Sequence, residues 1–307
     1  MKWYCYFLIL LVFGCESQLP SSSGSLLLAD SIPISSPALL SDSEQIQLVV
    51  GKPIYMDHYF ESMDSLCCFI DSSFGITLNE YELVHANLFI LDSLRAQDYY
   101  TAKARGVFIY NQQSCIAMNA GERVCVPDSI QLAQIRDYLK HLRIDVNIPE
   151  YALRIWHGDS LVHQCMVRVG RDERTFLALA GHQVDLRTPI GEGRIVRVER
   201  NPLYINPVDG RRYYRTRRDD GRYTKLPRIP FLEPEINGIR SGALMHPTTN
   251  KSTLGKAISN GCIGMSEADA WTLYYHAPLG TPVEFRYDLH VIDSAENIQN
   301  LPNIYNR

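Results

Sequence analysis

The sequence predicts a mostly β domain with one packed helix, preceded by a small α+β domain. Three observations support this prediction. The chain has 307 residues, 46% of them hydrophobic and 21% charged, which is enough to bury one large core or two ordinary ones. Near residue 148 a mixed pattern of apolar residues gives way to strand-like alternation. Beyond that point only one segment has the pattern of a good helix.

The charge balance argues against one class of partner. The chain has 30 Lys and Arg against 34 Asp and Glu, a formal net charge of −4. Proteins that bind the phosphate backbone need an excess of basic residues, so we expect no nucleic-acid partner. The sequence also contains no Walker loop, no GxGxxG and no HExxH motif, so nucleotide, dinucleotide and zincin functions have no support.

The first fifteen residues have the pattern of an export signal. A lysine precedes an apolar run over residues 3–13, and a glycine stands directly before Cys15. The run suits a secretory h-region but is too short for a bilayer-spanning helix, which needs about 20 residues. Residues 12–15 further resemble the lipobox of bacterial lipoproteins, which implies lipidation of Cys15 after cleavage of a signal peptide over 1–15. An uncleaved anchor and a simple secretory signal are the alternatives.

A serine-rich and proline-rich segment follows. Residues 16–45 contain ten serines and three prolines. A segment of this composition buries too little apolar surface to offset its ordering entropy, which predicts a flexible tether. We therefore expect an exported protein that a lipid anchors on the periplasmic side of a bacterial membrane.

Residues 46–148 have the mixed pattern of a small α+β accessory domain. Apolar spacing predicts helices over 62–73, 78–87 and 129–142. The run 65–87 faintly resembles the LysM glycan-binding module. The alternative is a structural domain that only supports the next one.

Two cysteines of this region flank a turn. A hairpin loop with Gly121 in the left-handed conformation would place Cys115 opposite Cys125. A disulfide between them is one possibility. Two buried, unpaired thiols are the other.

Residues 149–290 form the predicted β-rich domain, and a tail over 291–307 follows it. The one helix begins at Ser266, where Asp269 completes a capping-box pattern, and stops before Pro278. A four-residue hairpin signal separates the first two strand-like runs. The predicted strands are 153–156, 161–169, 175–180, 195–198 and 282–287.

The candidate chemistry centres on Cys262. Neighbouring glycines allow its backbone to adopt unusual dihedral angles and to approach a ligand closely. His246, at the end of an apolar run, could bring an imidazole to the thiol and raise the thiolate fraction. The turn at Asn260 and Gly261 would point successive N–H groups toward one site, as an oxyanion hole requires. These residues together predict acyl transfer through a thioester.

Six short segments of the second domain occur in an order typical of one family. They are Gly170, 188–191, 245–246, 254–255, 259–263 and 280–283. Together they are similar to the L,D-transpeptidase catalytic domain, which has the YkuD-like β-sandwich fold. The resemblance covers roughly residues 151–287. It implies neither a cofactor nor a metal.

The resemblance implies a role for each site residue. Cys262 would be the nucleophile on a peptidoglycan stem tetrapeptide and would expel its terminal D-alanine. An acceptor amine of a neighbouring stem would resolve the thioester and form a cross-link. His246 would be the general base, oriented by the backbone carbonyl of Pro247, where relatives usually have glycine or serine. The N–H groups of Asn260 and Gly261 would stabilise the oxyanion.

This chain departs from the family pattern at two positions. Relatives commonly have His where Asn260 stands, and Arg or Asn where Gly264 stands, so one expected substrate contact lacks its side chain. The basic insertion, residues 211–228, has eight cations against two aspartates, and it could hold the carboxylates of stem peptides instead. A solvated loop over packed tyrosines is the alternative. The residues that we expect to bind substrate are Met245, Ser259, Tyr223, Arg218 and Arg222.

Two other functions remain open at this stage. An L,D-carboxypeptidase would resolve the same thioester with water, and the choice depends on how the acceptor side excludes water. A catalytically inactive wall-binding lipoprotein is the third possibility, because of the residues at positions 247 and 264. Acylation of Cys262 by a carbapenem would separate the two enzymes from the inactive protein.

Overall fold

The structure of the chain is a computed structural model. The predicted signal peptide, the lipidation site Cys15 and most of the predicted tether lie outside the residues that it describes. None of the helices in the described part is long and apolar enough to cross a bilayer. The described residues are 34–38, 45–178, 180–206, 209–292 and 297–306.

Helices dominate the first half of the described chain. Those predicted over 62–73, 78–87 and 129–142 are present, and two further short helices lie between residues 88 and 104. The described α-helices are α1 (Tyr59–Phe74), α2 (Glu80–Ala86), α3 (Leu88–Arg95), α4 (Tyr99–Ala104), α5 (Ser129–Lys140) and α6 (Glu267–His276).

Strands dominate the second half. The predicted hairpin around residues 157–160 joins two of the longest strands. The described strands are β1 (Ile34–Ala38), β2 (Gln47–Val50), β3 (Ile54–Tyr55), β4 (Ile116–Met118), β5 (Arg123–Cys125), β6 (Leu142–Asn147), β7 (Ala152–His157), β8 (Ser160–Met166), β9 (Val169–Gly170), β10 (Arg174–Leu177), β11 (His182–Asp185), β12 (Gly191–Glu199), β13 (Arg215–Arg217), β14 (Tyr223–Lys225), β15 (Phe231–Ile236), β16 (Met245–Pro247), β17 (Ala257–Ser259), β18 (Ile263–Met265), β19 (Pro282–Arg286), β20 (His290–Ile292) and β21 (Ile298–Asn300).

The chain divides into two compact units. The first comprises residues up to Ser93 together with 113–136, and the second comprises 94–112 together with everything from Asp137 onward. This division differs from the boundary expected at residue 148. The reason is that β6 is a full member of the large sheet of the second unit, where it lies between β19 and β7.

In the first unit, the predicted pairing of the two strands around Gly121 is wrong. Gly121 does adopt a left-handed φ of 87°, but the strands on either side of it join different sheets. β4 pairs with β3, whereas β5 pairs with β2, so each strand forms its ladder with a segment from earlier in the chain. Cys115 and Cys125 are accordingly free thiols, and the possible disulfide is absent.

One part of the predicted tether has regular structure. Residues 34–38 form β1, which pairs antiparallel with β2 at the edge of a three-stranded sheet. The backbone groups of an edge strand are open to such pairing whatever the side chains that approach them.

The second unit is built on an eight-stranded mixed sheet. Its strand order is β18-β16-β15-β12-β19-β6-β7-β8, with parallel pairing of β16 with β18 and of β19 with β6. Within residues 149–290, the described chain therefore has the mostly β fold with one packed α-helix that the sequence predicts. The helix, α6, starts at Ser266, whose side chain accepts a hydrogen bond from the Asp269 N–H. Trp271, Tyr274 and Tyr275 of α6 are buried.

The predicted C-terminal tail is partly structured. β20 and β21 pair as an antiparallel ribbon, and the side chain of Tyr305 is buried. The tail therefore contributes to the core of the second unit.

Candidate active site

Two neighbouring parallel strands position the candidate dyad. In their register, His246 of β16 lies opposite Gly264 of β18. Cys262 immediately precedes β18, and the next residue, Ile263, donates its N–H to the carbonyl of Leu244 at 2.8 Å. Because side chains two residues apart in an extended strand share a face, the thiol of Cys262 and the imidazole of His246 lie on the same side of the sheet.

The His246 ring has a defined tautomer. Its Nδ1 lies 2.8 Å from the carbonyl oxygen of Pro247. A carbonyl only accepts hydrogen bonds, so Nδ1 bears the proton and Nε2 is the free base. The pKa of His246 is lowered to about 4, mainly by burial and in addition by the nearby Arg168 guanidinium, while the Pro247 contact acts in the opposite direction. The imidazole is therefore neutral at neutral pH.

The Cys262 side chain is a free, half-buried thiol. Its Sγ lies 3.9 Å from the carbonyl oxygen of Gly242. Burial raises the pKa of Cys262 above its ordinary value, while a backbone hydrogen bond from Leu244 and the charge of Arg168 act in the opposite direction. Both groups are therefore neutral in the resting site, the one as a thiol and the other as an imidazole.

The turn that presents Cys262 is held by side-chain hydrogen bonds. Gly261 adopts a φ of 100°, which disfavours every residue with a side chain. The Ser259 hydroxyl donates to the Cys262 carbonyl at 2.6 Å, and the Thr188 hydroxyl donates to the Gly261 carbonyl at 3.1 Å. Ser259 is buried, so the structure gives it a role in shaping the turn. The oxyanion hole assigned to the N–H groups of Asn260 and Gly261 stays a prediction.

A second set of contacts holds Thr188, which in turn binds the turn at Gly261. The Tyr305 hydroxyl accepts from the Thr188 N–H at 3.0 Å and donates to the Gly170 carbonyl at 2.8 Å. A Cβ at Gly170 would lie 2.1 Å from the Leu186 carbonyl oxygen, so only glycine fits there. The sequence indicated Gly170 and the segment containing Thr188, but it gave no sign of Tyr305.

An arginine beside the dyad was also missed. Arg168 lies between β8 and β9, and it is bridged through its backbone to Gly264. Its flanking residues Val167 and Val169 are fully buried. The sequence signal that could have indicated it is a single cation between two valines at the end of the strand predicted over 161–169.

The residues expected to bind substrate occupy different environments. Met245 is fully buried within β16. Arg218 is also buried, 3% exposed, and its guanidinium is paired with Glu267 at 2.5 Å. It is therefore unavailable to a substrate carboxylate. Arg222 and Tyr223 are exposed.

Asn260 is held by a second arginine. Arg171 donates from Nη1 to Asn260 Oδ1 at 2.6 Å, and its backbone N–H donates to the Ser259 carbonyl at 3.1 Å. The side chain of Asn260 thus braces the turn where relatives commonly have histidine.

One group of side chains in the described part of the chain has ligand atoms close enough to hold a metal ion. The atoms of His163, Cys165 and Asp269 lie within 4.8 Å of one another. His163 Nε2 is 2.9 Å from Asp269 Oδ1, and the Ser266 hydroxyl donates to the other Asp269 oxygen at 2.5 Å. The carboxylate is thus bound by protein groups on both oxygens.

The fold, with a thiol and an imidazole on one face of the sheet, defines a β-rich domain with a candidate cysteine–histidine site. Residues 141–285 match the family model of YkuD, the L,D-transpeptidase catalytic domain. This match confirms the resemblance drawn from the motifs. No curated protein matches the sequence.

Several solved structures are similar to the chain. The L,D-transpeptidase from Mycobacterium smegmatis shares 15% identity at a TM-score of 0.34, over 48% of this chain and 58% of that one. L,D-transpeptidase 3 from Mycobacterium tuberculosis, in complex with a faropenem-derived adduct, shares 19% identity at a TM-score of 0.33, over 48% and 60%. The enzyme from Xylanimonas cellulosilytica shares 14% identity at a TM-score of 0.35, over 67% and 93%. The chain thus spans less than two thirds of the first of these proteins.

Proposed function

We propose that this protein is an L,D-transpeptidase that forms peptidoglycan cross-links through a cysteine thioester. The observation that supports the proposal most directly is the strand register, which places Cys262 and His246 on one face with the free Nε2 available as a base. The family of residues 141–285 agrees with that chemistry. Stem tetrapeptides serve as donors and neighbouring stems as acceptors.

In the first half-reaction, Sγ of Cys262 attacks the carbonyl carbon of the amide before the terminal D-alanine. Nε2 of His246 takes the thiol proton as the C–S bond forms. The C–N bond then breaks, and the imidazolium gives its proton to the leaving amine. The products are a thioester and free D-alanine.

In the second half-reaction, the acceptor amine attacks the thioester carbon. His246 removes a proton from that amine, the C–S bond breaks, and the departing sulfur is reprotonated. A new amide and the free enzyme result. Water in place of the amine would give the tripeptide, which is the product of an L,D-carboxypeptidase.

The acidities of the two groups fit a concerted proton transfer. Burial holds the pKa of His246 low and the pKa of Cys262 high, so a resting thiolate–imidazolium pair is disfavoured. The proton moves to the imidazole as the nucleophile attacks, when the negative charge passes on to the carbonyl oxygen.

Mass spectrometry of the intact protein tests the proposal. A carbapenem should add one acyl group to the wild-type protein and none to Cys262→Ala. Incubation with a stem tetrapeptide should give a cross-linked dimer, and His246→Gln should lower its rate by about 10²- to 10⁴-fold. Tripeptide alone would indicate the carboxypeptidase, and the absence of both adduct and product would indicate an inactive wall-binding protein.

We also propose that the protein is exported and lipid-anchored at Cys15. The support is the order of lysine, apolar run, glycine and cysteine at the N-terminus. Expression of the full chain in a bacterium should give a membrane-bound protein whose N-terminal peptide carries diacylglycerol. The Cys15→Ser variant should lose the lipid, and an unlipidated wild-type peptide would contradict the proposal.

A further inference from the structure

Arg168 and His246 flank Gly264 from opposite sides. His246 is its partner on β16, and Arg168 exchanges two backbone hydrogen bonds with it, at 2.8 and 3.0 Å. Paired residues of a sheet place their side chains on the same face, which Cys262 shares. The bare Cα of Gly264 therefore lies between a guanidinium and an imidazole, next to the thiol.

The side chain of Arg168 fills the space that a side chain at Gly264 would occupy. A Cβ built on Gly264 would lie 2.5 Å from Nε of Arg168 and 2.9 Å from its Cγ. The two positions therefore exclude each other: glycine at 264 is what allows the guanidinium to lie over the active-site face.

The guanidinium is incompletely paired. Its Nε is buried and has no hydrogen-bond partner among the residues that the structure describes, and Nη1 makes one long contact of 3.5 Å with the Thr253 hydroxyl. Among the residues that the structure describes, the guanidinium forms no ion pair with a carboxylate. Arg168 as a whole is half-buried. A cation that is partly removed from water without an anion is unfavourable, and the planar fork of arginine matches a carboxylate. An anionic ligand would complete this site.

The charge of Arg168 also reaches the dyad. After burial, it is the next cause of the low pKa of His246, and it opposes the effect of burial on the pKa of Cys262. An anion bound to Arg168 would thus lie on the face of the sheet that carries the reacting sulfur.

We propose that Arg168 binds the terminal carboxylate of the donor stem peptide. This inference rests on the proposed function, which supplies the donor. The terminal residue of the donor is also the leaving group, so its carboxylate lies one residue from the scissile amide and near the thiol. Arg168 would hold the donor in register with Cys262 and select peptides that end in a free carboxylate at this position.

Binding measurements on the Cys262→Ala protein test this inference without turnover. Isothermal titration calorimetry would compare a stem tetrapeptide with the same peptide amidated at its C-terminus. Amidation should weaken binding by about 10- to 100-fold when Arg168 is present, the usual worth of a charged hydrogen bond. With Arg168→Gln added, the two peptides should bind within about threefold of each other. The inference would be overturned if Arg168→Gln weakened the binding of both peptides equally. It would also be overturned if Arg168→Gln weakened the binding of neither.

A relocated arginine provides a second test. In the variant Arg168→Ala with Gly264→Arg, the space over position 264 is free and the new side chain can enter it. The preference for the free carboxylate should return at least in part, whereas Arg168→Ala alone should lack it. Equal affinities of this double variant for the amidated peptide and the free acid would count against the inference. Arg194→Gln, an exposed change on β12, is the matched control and should keep the full preference.

The two proposals fail in different ways. An inactive wall-binding protein would still prefer the free carboxylate in the calorimeter, but it would show neither acylation nor product. An active enzyme whose binding ignores amidation would retain the proposed function and refute the role of Arg168.

Discussion

The guanidinium of Arg218 and the carboxylate of Glu267 form a buried ion pair, with Nη1 2.5 Å from Oε1. Glu267 also accepts from the Tyr99 N–H and from the side chain of Gln112, and burial raises its pKa. Arg218 in turn stacks over the Tyr99 ring, 4.4 Å from its centroid. The pair therefore joins three parts of the second unit: residues 94–112, the basic insertion and α6.

Breaking this pair should destabilise the protein. Arg218→Met leaves the Glu267 carboxylate buried without its cation, and such losses cost about 3–5 kcal/mol. Urea denaturation followed by circular dichroism would measure the change. Arg222→Met, at an exposed neighbour of the same insertion, should change the free energy of unfolding by less than about 0.5 kcal/mol. Equal effects of the two changes would contradict a structural role specific to Arg218.

The pH dependence of kcat/KM should report the low pKa of His246. The base must be neutral, and burial lowers its pKa to about 4, so activity should fall only as the pH drops toward 4. An unperturbed histidine would lose activity near pH 6.5. Arg168 lowers this pKa, so Arg168→Gln should raise it and move the acid limb to higher pH. An acid limb near 6.5 in the wild type would refute the expectation.

Alkylation of the free enzyme should report the high pKa of Cys262. Because burial raises that pKa, the rate with iodoacetamide should keep rising beyond about pH 8.5, the ordinary value for a thiol. Arg168→Gln should shift the curve to still higher pH, since the positive charge that stabilises the thiolate is lost. Peptide mass spectrometry can follow Cys262 and the exposed Cys68 in the same sample, and Cys68 should not respond to that substitution.

Tyr305→Phe should impair the site from outside the family-matched region. The change removes one hydroxyl that binds both Thr188 and Gly170, leaving buried groups unpaired at a cost of about 1–3 kcal/mol. We expect a larger effect on kcat, which should fall, than on KM, because Thr188 holds the turn that carries the nucleophile. Tyr213→Phe, at an exposed position, is the control. Unchanged kcat in Tyr305→Phe would show that the turn holds its shape alone.

The sequence was most informative where the signal is local. The motif around Cys262 and the N-cap of α6 are contiguous patterns. The Ser266 side chain caps α6 by accepting from the Asp269 N–H, although the Asp269 carboxylate does not complete the expected capping box. His246 lies on the strand that pairs with β18, which Cys262 precedes. The hairpin between β7 and β8 was predictable for the same reason, because its turn and alternation are encoded in adjacent residues.

The sequence was least informative where a contact joins distant segments. Arg218 appears in a run of cations, yet burial against Glu267 removes it from the surface. The approach of Arg168 to Gly264 depends on a sheet pairing that no spacing rule predicts. The strands near Cys115 and Cys125 likewise pair in two different sheets. They therefore form no hairpin with each other, although they are close along the chain.

The Tyr305 hydroxyl binds groups 117 and 135 positions earlier in the chain. Contacts of such separation form late, since the entropy of closing long loops must be overcome first. The reactive turn would acquire its final shape only after the rest of the sheet has assembled. An incompletely folded molecule would therefore carry the sulfhydryl group on a turn that has not yet taken its final shape.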